Sequence, residues 1–399
     1  MGSLTVYIAP LLVFGLVVFV HELGHFLAAK LTGVYAPVFS LGWGRRLFGW
    51  RRGETDYRVS LIPLGGYVRM ASRDDDALAG IEGGTADRGS LEDAPPAPSG
   101  IPGSLWDPQA MAPFGPRAVP ADRWVESKST SARVFILSAG VLMNILLTVL
   151  VSSGIYYRYG NPYLPAVVDS VVTGAPAAAA GVLAGDRIVA INGESVRTWE
   201  DVLNRVSPVT SGSLQVEVER GAPGATARST HTVTPQVADG TDPVTGASRK
   251  VGRIGIAVRD SVVRGDVGFG ESIVLGGRAT VTMAQNVVSV LRGLFSGEVS
   301  ARNLGGPIQI ARTSVQAARH GAETLWSLIA FLSLNIAILN LVPIPVLDGG
   351  QILLVLAERV KGSAFSMRTR EAVARVGVLA VLALILLVTF NDLRSAFTR

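Results

Sequence analysis

The chain has 399 residues, contains no Cys, and is 48% hydrophobic but only 17% charged, well below the roughly one quarter charged that soluble domains carry. With a mean hydropathy of +0.39, that composition disfavours a fully soluble protein, and zero Cys excludes disulfide scaffolds, thiolate nucleophiles and Cys-based zinc sites. The net charge of +5 fits either nucleic acid or anionic lipid, but the Arg residues border apolar runs instead of forming one stripe, which points to lipid and away from nucleic acid.

Four apolar stretches are long enough to cross a bilayer, which takes about 20 residues: Leu4 to Leu31, Val134 to Tyr157, Thr324 to Leu347, and Val373 to Phe390. The first, in 1–31, has an uncharged start and no small-residue cleavage site, so it reads as a span and not as a signal peptide. In 32–71, turn signals at Leu41-Gly42-Trp43-Gly44, Gly53 and Gly65-Gly66 surround a near-alternation at Asp56 to Leu61, the pattern of short strands in a hairpin hugging the membrane. The region 72–131 opens with Asp74-Asp75-Asp76 and continues through Ala94-Pro95-Pro96-Ala97-Pro98, a composition expected to leave a largely disordered loop.

The second span occupies 132–157. Beyond it, 160–262 has soluble character: β-rich runs at Ala166 to Val172, Arg187 to Ile191, Leu214 to Glu219 and Arg253 to Val258 surround one helix at Thr198 to Val206, implying a compact α+β domain. In 263–322, the stretch Ser272 to Phe295 is apolar but interrupted by Arg278, Gln285, Asn286 and Arg292, which suits an amphipathic helix at the membrane surface. The third span follows in 323–347, a cytoplasmic segment opening on the Leu-Asp-Gly-Gly motif in 348–371, and the fourth span in 372–391. Basic residues gather after the first span (Lys30, Arg45, Arg46, Arg51, Arg52), before the second (Lys128, Arg133) and between the third and fourth (Arg359, Lys361, Arg368, Arg370), so those loops are expected to be cytoplasmic. Both termini and the region from Arg158 to about Gly321 then face outside.

The strongest chemical signal is His21-Glu22-Leu23-Gly24-His25 inside the first span. Imidazoles at i and i+4 share one helical face and can hold one zinc, while Glu22 reaches a bound water as general base. Buried in hydrocarbon, these groups are costly unless paired, metal-bound or lining a wet cavity. A catalytic zinc needs a third protein ligand, and His231 and His320 lie in or beside the soluble-like region. Asp348 is the better candidate: Pro343 and Pro345 break the third span, Gly349-Gly350 free the backbone, and the acid falls at the same cytoplasmic end as His21 and His25. An N-cap role for Asp348, and a helix-bridging role for Asn335 and Asn340, are the plainer alternatives.

The pairing of His-Glu-x-x-His in a first span with Asn340-Leu341-Val342-Pro343-Ile344-Pro345-Val346-Leu347-Asp348-Gly349-Gly350 after a later one resembles the site-2 protease family of intramembrane zinc metalloproteases, bacterial regulator of sigma-E protease type. Ser138-Ala139-Gly140, Asn144, Asn303-Leu304-Gly305-Gly306-Pro307-Ile308 and Asn391-Asp392 extend the likeness over nearly the whole chain. The resemblance implies His21, His25 and Asp348 as zinc ligands, Glu22 as catalytic base, and Asn340 and Asn335 as holders of the substrate backbone or developing oxyanion. It also implies a membrane re-entrant β-hairpin around Phe39 to Met70, presenting an edge to an unwound substrate. The run Ala175-Pro176 to Asn192-Gly193 is similar to the bacterial PDZ pattern, in one clear copy where the nearest relatives of that type carry two.

The expected protein is thus a polytopic α-helical membrane protein with four transmembrane helices, a re-entrant hairpin and an extracytoplasmic PDZ domain, in the bacterial inner membrane. Its expected work is regulated intramembrane proteolysis in a stress response, on single-pass substrates such as a pre-clipped anti-sigma factor or remnant signal peptides, with a possible peptide at the PDZ groove. Two other classes compete. A catalytically silent PDZ receptor needs neither Glu22 nor Asp348, yet both are present, and a metal or proton transporter usually shows repeat symmetry that four unequal spans lack.

Overall fold

The structure is a computed structural model that describes residues 4–72, 111–112, 117–221, 227–241, 248–258, 261–299 and 305–397. The chain divides into two compact units, Met1–Gly154 with Ile273–Arg399, and Ile155–Ser272. The acidic and Pro-rich tracts of the expected disordered loop, and Asn303-Leu304, lie outside the described residues.

The first unit opens with α1 (Leu4–Leu31), followed by β1 (Val38–Arg52) and β2 (Thr55–Arg69). These two strands are too long to lie flat, and they fold back on themselves. Val38–Leu41 pairs antiparallel with Gly66–Arg69, Arg46–Arg52 pairs antiparallel with Thr55–Ser60, and Val38–Leu41 also runs beside Asp56–Val59 with both numbers rising together. The bends fall at Gly42 (φ +90°) and Gly65 (φ +104°), backbone that residues with a Cβ rarely adopt. The result is a curled sheet with 46–52 at one edge and 66–69 at the other. Its inner face packs Phe39, Tyr57 and Val68 against Phe26 and Ala29 of α1.

A salt-bridge cluster closes the tip of this hairpin. Lys30 donates to Glu54 Oε1 at 2.6 Å, and Arg123 donates to both Glu54 oxygens at 2.7 and 2.8 Å. Burial pushes the Glu54 carboxyl up, but Arg123 and Lys30 outweigh it and hold it below the usual 4.5. A depressed carboxyl contributes stability above its unfolded value, and that stability is lost as pH falls through the folded one. The expected result is that melting in detergent drops below about pH 4.5 by an amount worth about 1 kcal/mol, since the cluster is partly screened by solvent. In Glu54→Gln that acid-side drop shrinks; an unchanged pH profile would remove the cluster from the account.

Two short strands, β3 (Met111–Ala112) and β4 (Arg117–Ala118), pair in parallel, and two turns of 3₁₀ helix follow at Ala121–Arg123 and Val125–Ser127. Val119 and Trp124 pack with Tyr35 and Ala71. The end of 72–131 is therefore ordered, because these apolar residues find a partner surface beside the curled sheet. Next comes α2 (Thr130–Tyr159), a 30-residue helix with Gly140, Asn144, Thr148 and Ser152 buried at four-residue spacing.

The second unit is α+β. It comprises β5 (Asn161–Tyr163), β6 (Val168–Val171), α3 (Pro176–Ala179), β7 (Arg187–Ile191), β8 (Glu194–Ser195), α4 (Trp199–Val206), β9 (Leu214–Arg220), β10 (Ala227–Val233), β11 (Gln236–Thr241), β12 (Ser248–Arg253), β13 (Ile256–Val258) and β14 (Val263–Gly265). The order β10-β9-β7-β8 forms one sheet, while β6 pairs with β13, β11 with β12, and β5 with β14. Asn192-Gly193 makes the two-residue turn from β7 to β8, with Asn192 at φ +52°. A capping box at Thr198 and Asp201 starts α4. Val168, Ile188, Val202, Leu214 and Val218 form the core. Three of the expected runs and the helix are present as strands β6, β7, β9 and helix α4, while the run Arg253 to Val258 is broken at Ile254-Gly255, where Gly255 has φ +75°, into the end of β12 and β13.

The chain then returns to the first unit through α5 (Phe269–Ser296), α6 (Pro307–His320), α7 (Ala322–Asn340), α8 (Asp348–Lys361) and α9 (Met367–Phe397). Among the described residues, four helices are long and apolar enough to cross a membrane: Ile8–Leu31, Thr130–Tyr159, Ala322–Asn340 and Arg368–Arg394. The stretch Ser272 to Phe295 lies within α5, whose Gly276 abuts the Ser153 backbone of α2 so closely that a Cβ would not fit. In lipid such packing rests on small residues and close backbones more than on water exclusion.

One boundary moves. The third helix ends at Asn340, not at Leu347, because Pro343 and Pro345 have no N–H to donate and bar the helical conformation before them. The segment 348–371 likewise starts as a helix, α8.

Candidate metal centre

Five chain segments meet at one point in the first unit. His21 and His25 lie one turn apart on α1 and are buried, each 7% exposed. Asp348 is the first residue of α8, not its N-cap, and its carboxylate turns to the two imidazoles. The donor atoms stand 3.2 Å (His21 Nε2 to His25 Nε2), 3.3 Å (His21 Nε2 to Asp348 Oδ2) and 3.5 Å (His25 Nε2 to Asp348 Oδ2) apart.

These spacings suit one ion. Tetrahedral zinc with bonds of about 2.0–2.1 Å sets its donors about 3.3 Å apart. Asp348 Oδ2 is buried and has no hydrogen-bond partner, the orphan expected of a ligand oxygen. His25 Nδ1 donates to Ile136 O at 2.8 Å, which leaves Nε2 as a bare lone pair aimed at the same point. Among the described residues, His21, His25 and Asp348 are the one group of this kind.

Helix α2 forms the wall behind the imidazoles. Gly24 of α1 presses on Ala139 O, and a Cβ on Gly140 would fall 2.5 Å from His25 Nε2 and 2.7 Å from His21 Cε1. Asn144, fully buried, places Nδ2 3.4 Å from His21 Nδ1 while its Oδ1 has no partner. A second wall is the edge 66–69 of the curled sheet: Glu22, half-buried, faces the Val68 N–H, and its Cγ lies beside Gly66.

The two candidate asparagines separate. Asn340 brings Nδ2 to 3.3 Å from His21 Nε2. Asn335 donates to Phe331 O within its own helix and lines an apolar cleft with Val13, Val17, Ile310, Leu332 and Leu339. Five residues on a helix turn about 140° away from the starting face, so the pair does not share a side. The remaining histidines are engaged elsewhere, His231 with Ala180 O and Ser229, and His320 with Gln316 O. Gly140 and Asn144 are the neighbours that motif reasoning did not assign to the site; the signal for them is a Gly and an Asn four residues apart in an otherwise apolar span.

Comparison with known proteins gives a family and relatives that cover nearly the whole chain. The family model described as Peptidase family M50 matches residues 9–384. Zinc metalloprotease RasP of Bacillus licheniformis is 30% identical over 98% of this chain and 99% of its own length. A putative zinc metalloprotease of Agrobacterium fabrum is 33% identical over 99% of this chain and 97% of its own. The regulator of sigma-W protease RasP of Bacillus subtilis is 28% identical over 98% of both.

Proposed function

The chain belongs to peptidase family M50 and is an intramembrane zinc metalloprotease, and from that premise we propose that His21, His25 and Asp348 hold the zinc and Glu22 is the catalytic base. The observation that carries this assignment is the convergence of three donor atoms at 3.2 to 3.5 Å spacing. Zinc supplies Lewis acidity there, polarising a carbonyl and acidifying water.

The chain's own groups do the rest. Glu22 accepts the proton of the attacking water and delivers it to the leaving amide nitrogen. Asn340 donates from beside His21 to the substrate carbonyl oxygen as that oxygen gains charge. Asn335, in the apolar cleft beside the site, steadies the substrate backbone on its approach. Exchanging the two amide positions of Asn144 lets Oδ1 accept from His21 Nδ1–H, which satisfies both atoms and leaves Nε2 free as a ligand. A peptide bond in a helix has its N–H and C=O engaged, so the substrate is unwound and held extended by strand addition at the edge 66–69.

The hairpin is then membrane re-entrant, and the basic loops support a site facing the cytoplasm of a bacterial inner membrane, with the second unit as an extracytoplasmic PDZ domain. The Gly185-Asp186 turn, the buried strand β7 and the Asn192-Gly193 turn support the PDZ reading. The substrates are single-pass membrane proteins, such as a pre-clipped anti-sigma factor of the sigma-E or sigma-W kind, or remnant signal peptides. The PDZ domain excludes uncut precursors or binds a peptide in its groove.

The test is cleavage of a single-span substrate by the purified protein in detergent. Activity is expected to vanish on full chelation and return with about one equivalent of zinc. Cleavage that survives with no measurable metal would overturn the proposal.

A further inference from the structure

Asp348 opens α8 and Glu358 stands near its other end, about 15 Å along the axis. Glu358 is 6% exposed, yet three donors reach it. Arg133 Nη2 donates to Oε2 at 3.1 Å, Phe365 N–H donates to Oε1 at 3.0 Å, and Arg370 Nη2 also donates to Oε1. Burial pushes the Glu358 carboxyl up, but the Phe365 N–H and the two guanidinium groups hold it below its usual value, so it is ionised.

What these partners belong to gives the cluster its meaning. Arg133 lies in the first turn of α2, one turn before Ile136, whose carbonyl fixes His25. The same helix meets both imidazoles through Gly140 and reaches His21 through Asn144. The histidines are thus registered against α2 by direct contact. The first turn of α8 is held by the preceding turn, whose backbone at Leu341, Val342, Ile344 and Pro345 lies against Gly349 and Gly350.

We infer that Glu358 is a positioning residue for Asp348, locking α8 onto α2 through Arg133 so that the carboxylate meets the two imidazoles at one point. The inference rests on the reading of His21, His25 and Asp348 as ligands. It closes a mechanical circuit running from α2 to the histidines, across the ligand atoms to Asp348, down α8 to Glu358 and back to α2. Stability alone is a weak reason for such a cluster, since the desolvation of buried Glu358 and Arg370 and of half-buried Arg133 offsets most of their attraction. Fixing one arrangement is the better one.

The test measures Co²⁺ affinity and the visible Co²⁺ spectrum of the full chain in detergent for the unaltered protein, Glu358→Gln, Arg133→Gln and the double variant. Glu358→Gln is expected to weaken Co²⁺ binding about 10- to 100-fold with a shifted spectrum, the range seen when support behind a metal ligand is removed. The double variant is expected to be no weaker than the worse single one. Arg133→Gln keeps the Glu358–Arg370 pair, so it decides the matter even if Glu358→Gln fails to fold. Folded variants that bind Co²⁺ within about twofold of the unaltered protein, with the same spectrum, would overturn the inference, as would a double variant whose loss is the product of the two single losses. If His21→Ala abolishes binding while the Glu358 and Arg133 variants bind normally, the positioning role alone fails. An unaltered protein that binds no Co²⁺ overturns the ligand reading and this role together.

Discussion

Glu22→Gln is expected to leave a protein that keeps its metal and loses its cleavage activity. The side chain follows His21 in sequence and faces the Val68 N–H at the sheet edge, but it is not one of the three converging donors. Gln has the same size and can still accept from that N–H, so the local packing survives. What it lacks is a site that takes a proton from water at neutral pH. General acid–base groups contribute about 10² to 10⁴ in rate, and a base that both removes and returns the proton stands at the high end. Zinc content close to that of the unaltered protein, with cleavage down by about 10³ or more, is the expected pair of readings. A fully active Glu22→Gln protein would remove Glu22 from the mechanism.

Gly140→Ala is expected to have an effect of similar size by a different route. The added methyl carbon would fall 2.5 Å from His25 Nε2, 2.7 Å from His21 Cε1 and 2.9 Å from His21 Nδ1. No Cβ tolerates such distances, and the atoms in the way belong to the His21 and His25 imidazoles. Either the imidazoles turn out of place or α2 retreats, carrying Ile136 O and Asn144 with it. Overpacking of this kind costs about 1–3 kcal/mol in stability, which a membrane bundle survives, but ligand geometry does not. Bound zinc is expected to fall at least about tenfold and cleavage to disappear. Gly154→Ala on the same helix is the control, because nothing lies within 4 Å of its Cβ position and Ala favours the helix. A Gly140→Ala protein that retains zinc and activity would show that the imidazoles do not press on α2 as described.

The contrast between these residues shows what a single sequence can and cannot carry. His21 and His25 were legible because helical spacing alone puts i and i+4 on one face. Asp348 was legible because two Pro and two Gly mark a break in an apolar run, and a lone acid beside a break at membrane depth needs a reason. Gly140 and Asn144 belong to the stretches that carry the family resemblance, but the sequence gives them no role, since their partners lie more than a hundred residues away and no local pattern points across that gap. Glu358 carries no signal in the sequence, and its partner Arg133 is separated from it by 225 positions.

Sheet structure was partly hidden for a related reason. Strand β10 reads Ala-Arg-Ser-Thr-His-Thr-Val, polar on both faces with only Val233 buried, so hydrophobic alternation gives no signal. The hairpin itself was legible from its turn residues, whereas the parallel run of Val38–Leu41 beside Asp56–Val59 depends on how two long strands curl, which no short window encodes.

The account stands or falls on the three donors sharing one ion. The most direct measurement is zinc K-edge X-ray absorption on purified Glu22→Gln protein, with and without Asp348→Ala. The expected spectrum holds two imidazole nitrogens and oxygen ligands at about 2.0–2.1 Å, with one fewer oxygen or a sharp loss of zinc when Asp348 is replaced. A zinc shell that lacks the imidazole pair, or that stays at full occupancy and unchanged without the Asp348 carboxylate, would contradict it.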